Sequence, residues 1–271
     1  MDKLHFLTAG IPSNAKDYTN AFVKLEEMNL DGLEVEFVHG VRYSEKTREA
    51  ILKRNNKIIT HHGPYYINLN AKEEDKIQAS IKRVLDTARA GKDLGAYSIT
   101  YHAAFYLGDS EKVLMDRLIE RHQIIIDTLK EEDNNIWVRP ETTGKKSQWG
   151  TLDEIIELSK NFSQILPCID FAHIHARENG KFNTYDEFCY ILDKLGTELG
   201  DIALNNFHGH VAGIKYTDKG EKNHLIFEES DFNYQDLLKA MKKFNVKGAL
   251  VCESPNIEVD TMILKEYYLS L

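Results

Sequence analysis

The chain has 271 residues, of which 42% are hydrophobic and 28% charged, enough apolar content for a sizeable buried core. Its 34 basic and 43 acidic residues leave a formal charge of -9. That balance excludes non-specific coating of nucleic acid by a global basic field, although bound metal or a local basic rim can still supply positive charge.

Short apolar runs alternate with longer amphipathic ones. Leu4 to Thr8 reads as a first strand. Ser13 is placed to cap a helix running to Met28, with Phe22, Val23 and Leu25 as its apolar side. Leu33 to Phe37 reads as the second strand and Val41 to Ile51 as a short helix after it. Lys57 to His62 is the third strand, and Ile77, Ile81, Val84, Leu85 and Ala88 then recur at helical spacing. Tyr97 to His102 is the fourth, followed by a stripe of Leu114, Leu118, Ile125 and Leu129. Ile136 to Glu141 is the fifth, and Thr151 before Leu152-Asp153-Glu154 marks a helix start. Ile165 to Asp170, Asn206 to Val211 and Gly248 to Glu253 complete the set of strands. Gly91, Gly196 and Gly220 are candidate helix-end or loop positions.

Strands separated in this way by helical segments read as parallel βαβ units. No linker and no shift of composition divides the chain, so residues 1–271 are expected to form a single α/β domain, a (β/α)8 TIM barrel. A doubly wound open sheet is the competitor, but no Gly-rich phosphate fingerprint follows an early strand. The cysteines Cys168, Cys189 and Cys252 are too scattered for a disulfide framework. With no signal-peptide pattern at Met1-Asp2-Lys3-Leu4-His5 and no bilayer-spanning run, a cytoplasmic protein without membrane contact is expected.

The proposed strands end repeatedly in metal-ligand residue types: His61-His62, His102, Glu141, Asp170 with His173 beyond it, His208 with His210, and Glu253. His224 follows in the loop after the seventh strand. The C-terminal ends of barrel strands open on one face, so residues far apart in sequence would converge there. Each alone is more often a solvated or hydrogen-bonded side chain. Together they are hard to explain by packing, because several buried carboxylates need a metal or protons to compensate them. Cys168 could share the face of Asp170, whereas alternation turns Cys252 away from Glu253; both read as structural thiols.

Five segments carry a resemblance: His62-Gly63-Pro64-Tyr65-Tyr66-Ile67-Asn68-Leu69, His102, Pro140-Glu141-Thr142-Thr143-Gly144, Cys168-Ile169-Asp170-Phe171-Ala172-His173-Ile174-His175 and Glu253-Ser254-Pro255-Asn256. In this order they resemble the endonuclease IV family of apurinic/apyrimidinic (AP) endonucleases. The resemblance implies a zinc cluster. His62, His102 and Glu141 would hold the first ion, and Glu141, bridging, would hold a second with Asp170, His210 and Glu253. His173 and His224 would serve a third. That position is in question, because the family's Asp two residues before the last His is Lys222 here, which has no lone pair to offer. Asp218, Glu221 or water would have to fill in. His208 and His175 take supporting roles.

The activity implied is metal-dependent hydrolysis of the phosphodiester 5′ to an abasic site in double-stranded DNA, leaving a 3′-hydroxyl and a 5′-deoxyribose phosphate. Glu141 is the expected catalytic carboxylate. Tyr65 matches a position that inserts at the lesion, and packing under the rim is its bland alternative. Lys145, Lys146, Gln148 and Trp149 form a basic-aromatic loop suited to DNA, and Lys215, Lys219 and Lys222 form another. A monomer is expected. The competing class is a sugar isomerase or epimerase of the related xylose isomerase-like barrels, for which Glu141, Asp170, His210 and Glu253 around one divalent metal would suffice. A non-catalytic scaffold leaves the convergence of ligand-type residues unexplained.

Overall fold

A computed structural model describes residues 1–271. Eight parallel strands form the central sheet: β1 Leu4–Ala9, β2 Gly32–Glu36, β3 Ile58–His62, β4 Ser98–Tyr101, β5 Trp137–Pro140, β6 Ile169–Asp170, β7 Phe207–Val211 and β8 Gly248–Cys252. Neighbours in sequence pair in space from β1 to β5 and from β6 to β8, and β8 pairs with β1. Bridges from Val138 to Ile165 and from Glu141 to Cys168 close the ring between β5 and β6. The chain is therefore a TIM barrel, and the open-sheet alternative is set aside.

Strand alternation divides the side chains. Leu4, Phe6, Leu33, Val35, Ile99, Val138, Ile169, Phe207 and Leu250 join the apolar clusters shared with the surrounding helices. The other parity faces the barrel interior. There a small apolar group of Leu7, Ala249 and Val251 gives way to Glu34, Thr60, Ser98, Thr100, Arg139, His208 and His210, all buried.

Local signals explain most element boundaries. Thr151 makes a capping box with Glu154 at the helix Leu152–Ser159, as its sequence predicts, and Thr184 does the same with Glu187 at Tyr185–Leu199. Three expectations are corrected. The first helix is Tyr18–Glu27, capped by Asp17 rather than Ser13, whose backbone N–H instead reaches Glu258 at 2.9 Å. The second starts later than Val41, at Glu45–Leu52 behind Ser44. Gly91 and Gly196 lie inside their helices, which end at Gly95 and Gly200; Gly95 takes the left-handed conformation that stops the helix. Gly220 does sit at a turn, opening the second strand of a hairpin, Gly213–Thr217 with Gly220–Leu225, that stands beyond β7.

Candidate metal centre

Eight of the predicted site residues meet at the C-terminal mouth of the barrel. Glu141, just past β5 and almost fully buried, is the hub. One of its oxygens lies 3.1 Å from His62 Nε2, the other 3.2 Å from His102 Nε2 and 3.1 Å from His173 Nδ1. His210 Nδ1 stands 3.5 Å from Glu141 and 3.4 Å from Glu253. His224 Nε2 lies 3.9 Å from Glu253 and 3.5 Å from His173 Nε2.

The ligand atoms fall into three overlapping groups, each within 4.8 Å: His62, His102 and Glu141; Glu141, Asp170, His210 and Glu253; and Asp170, His173, His224 and Glu253. Backbone contacts set the imidazole tautomers. His62 Nδ1 donates to the carbonyl of Gly63 at 2.7 Å, and His173 Nδ1 to that of Thr142 at 2.9 Å. A neutral ring then has only a lone pair on Nε2. In His62 that lone pair faces a carboxylate, an arrangement that needs a cation between them. Asp170 Oδ2, Glu253 Oε2 and His210 Nδ1 are buried without a hydrogen-bond partner. A divalent metal would satisfy them, so the donor set fits zinc.

Without metal, protons take that role. Burial opposes a charged His62, but the hydrogen bond to Glu141 and the charge of Glu36 outweigh it and raise its pKa to about 10. Burial raises the Glu253 carboxyl to about 8, helped by the neighbouring charges of Glu141 and Asp170 and opposed by His210. The Cys168 thiol, near His208 and His210, is pushed up to about 12 by burial and stays protonated, consistent with a structural thiol. Cys252 packs among the helices, as alternation predicts.

Lys222 does not enter the site. It is the unpaired residue of a bulge: Asn223 pairs with Lys215, but Glu221 pairs with Tyr216. Residues directly opposite in a sheet share a face, so the extra residue puts Glu221 on the side of His224 and turns Lys222 to solvent. Glu221 Oε2 lies 3.5 Å from His173 Nε2. Gly144 makes room, since a Cβ there would come within 2.6 Å of the Glu221 Cβ.

Glu34 and Glu36 escaped the sequence reading, although period-two carboxylates on an otherwise apolar strand were a visible signal. Both face inward from β2, and their oxygens lie within 4.8 Å of Glu253. Burial raises Glu36 to about 7, with the charges of Glu34 and Glu141 acting in the same direction. His61 turns the other way, edge-on to Phe37 among the helices.

The proposed DNA-facing residues divide. Tyr65 and Tyr66 are exposed by 60% and 61%, so they do not pack under the rim. Lys145 and Lys146 are exposed as well. Trp149 is a correction: it is fully buried on a two-residue strand, Gln148–Trp149, that pairs with Ala104–Phe105, and cannot face DNA. The two basic loops are joined, because Lys145 bridges to Gly220 and Lys146 N–H donates to the carbonyl of Lys219 at 3.3 Å. No helix is long and apolar enough to cross a membrane.

Residues 22–266 match the family described as xylose isomerase-like TIM barrel. The chain is 42% identical over 266 residues to an uncharacterized protein of Methanocaldococcus jannaschii, across 98% of this chain and 97% of that one. It is 32% identical over 158 residues to the apurinic-apyrimidinic endonuclease of Caenorhabditis elegans, across 55% of this chain and 38% of that protein. Among solved structures it resembles a D-tagatose 3-epimerase-like protein with a TM-score of 0.74, 20% identity and 97% coverage of both chains. It also resembles endonuclease IV from Thermus thermophilus, with a TM-score of 0.71, 13% identity and coverage of 98% and 99%. At these identities the structural likeness concerns the fold.

Proposed function

The chain belongs to the xylose isomerase-like TIM barrel family, and we propose that within it this protein is a zinc-dependent AP endonuclease of the endonuclease IV type. The observation that carries the reading is the number of imidazoles at the mouth. Glu141, Asp170, His210 and Glu253 would already complete one metal site. His62, His102, His173 and His224 are additional, and each contacts the Glu141 hub or another of the four within 3.5 Å. A mononuclear site has no use for them.

In this reading His62, His102 and Glu141 hold one zinc, and Glu141, Asp170, His210 and Glu253 a second. His173, His224 and Glu221 hold a third, with the bulge at Lys222 supplying the carboxylate that the sequence pattern lacks. Bound zinc supplies Lewis-acid activation of water and neutralises charge developing on the phosphodiester. Glu141 ties the groups together, and backbone carbonyls orient His62 and His173. The substrate is double-stranded DNA with an abasic site, cut on its 5′ side. Tyr65, exposed beside His62 with ring centroids 6.1 Å apart, is placed to fill the gap in the base stack. Lys145, Lys146, Lys215, Lys219 and Lys222 give one exposed basic edge for the phosphates despite the acidic net charge.

A duplex carrying one tetrahydrofuran abasic analogue tests the proposal. Incision 5′ to the analogue, lost with chelator and restored by zinc, is the expected result. The second reading, a sugar isomerase or epimerase, draws on the four-residue set alone and on the shared fold. Turnover of a ketose, with no incision, would replace the first reading by the second.

A further inference from the structure

Beneath the metal centre a row of buried polar groups runs down the barrel interior. We propose that Glu34 is a positioning residue of the centre, which fixes the His210 ring so that Nδ1 points at Glu141 and Glu253. The inference rests on the reading of His210 as a metal ligand.

Glu34 is fully buried on β2. Its Oε2 accepts from the Thr60 hydroxyl at 2.6 Å and lies 3.1 Å from His208 Nε2. Its Oε1 lies 2.9 Å from His210 Nε2. Below, the Ser98 hydroxyl is 2.9 Å from His208 Nδ1. A carboxylate only accepts, and a neutral imidazole has one N–H. His208 therefore turns its Nε2–H to Glu34 and accepts from Ser98 at Nδ1.

With Thr60 and His208 on one oxygen, the other is left for His210. The Nε2–H of His210 faces Glu34, and its Nδ1 lone pair faces Glu141 at 3.5 Å and Glu253 at 3.4 Å. A carboxylate on the far nitrogen fixes the tautomer of a metal-binding histidine and makes the near nitrogen a stronger donor. The row Ser98, His208, Glu34, His210 thus gives a role to His208.

The test uses the full chain, stripped of metal and titrated with zinc against a chromophoric chelator, and with cobalt(II) to read the ligand field. Glu34→Gln keeps the shape and removes the charge. It is expected to weaken zinc about 10–100-fold at the site that His210→Ala also weakens, and to change the cobalt(II) visible spectrum. A merely structural role would leave that spectrum unmoved. Wild-type affinity and spectrum in Glu34→Gln, with His210→Ala still impaired, would overturn the inference and leave the metal reading standing. Unchanged affinity in His210→Ala would overturn both. Should metal-free Glu34→Gln melt far below wild type, His208→Phe decides: weaker zinc binding supports the relay and wild-type binding overturns it.

Discussion

Glu221 and His173 meet at 3.5 Å because Lys222 is one residue too many in its strand. In a regular strand the residue two before His224 would share its face, and that residue is a lysine. The bulge shifts the parity by one, so the carboxylate next to it takes the inward place. A sequence that looks disqualified at this position is repaired by backbone geometry.

That repair predicts an asymmetry between neighbours. Glu221→Gln is expected to lose one of three zinc ions under mild chelation, measured by elemental analysis against protein concentration, with the melting temperature of the metal-free protein unchanged. Lys222→Ala should keep full stoichiometry. Gly144→Ala should behave like Glu221→Gln, because its Cβ would crowd both Glu221 and His173. Loss of zinc in Lys222→Ala but not in Glu221→Gln would reverse the assignment.

Glu141 touches His62, His102, His173 and His210, so its loss should disrupt the whole centre. Glu141→Gln is expected to lower single-turnover incision of abasic duplex by about 10²–10³ or more, the scale of losing a preorganised electrostatic group. Thermal unfolding should stay cooperative. Turnover at the wild-type rate would remove Glu141 from the mechanism.

The metal-free and zinc-loaded proteins should respond to pH in opposite directions. A group whose pKa is higher folded than unfolded binds more protons when folded, and its stabilising contribution is lost as pH rises through the folded value. For Glu253 that window runs from 4.5 to about 8, and for His62 from 6.5 to about 10. Metal-free protein is therefore expected to melt lower at about pH 9 than at about pH 6. Zinc must displace those protons, so zinc affinity should rise over the same interval, with proton release measurable by titration in two buffers. A zinc affinity flat with pH would separate these groups from the metal.

If the lysine edge contacts phosphate as proposed, incision should weaken steeply with salt. Replacing Lys219 or Lys222 by Ala is expected to reduce the slope of log affinity against log salt by about 1 each, for any sequence around the lesion. Tyr65→Ala should instead cost about 1–3 kcal/mol in binding abasic duplex and leave the slope unchanged. Unchanged binding in Tyr65→Ala would leave the exposed ring without a role in lesion recognition.

Trp149→Ala is expected to act on the fold and not on DNA. The ring is fully buried among the helices, and its removal should destabilise the protein by about 3–5 kcal/mol in denaturant unfolding. A stable variant with weak DNA binding would contradict the buried placement.

How far the sequence could be read varied with the range of the interaction. The strands and the Thr151 cap were legible because alternation and capping are decided by residues a few positions apart. The ligand types at strand ends were legible because a barrel sends every strand end to one face. Nothing local shows that a two-residue strand folds Trp149 inward against Ala104. Glu34 is visible as a carboxylate on an apolar strand, but what it holds is not, because its partners, Thr60, His208 and His210, come from strands distant in the chain.

The barrel, its order of strands and the inventory of imidazoles and carboxylates at its mouth are encoded in patterning along the chain. Period-two and helical patterning are local, and they survive any detail of packing. Which nitrogen of each histidine faces the centre, and that Glu221 rather than Lys222 faces His173, follow only from the assembled fold. It also joined the two lysine loops into one edge. Those outcomes depend on hydrogen bonds and strand registers between segments as far apart as Gly63, Thr142 and Gly220, and no periodicity along the chain encodes them.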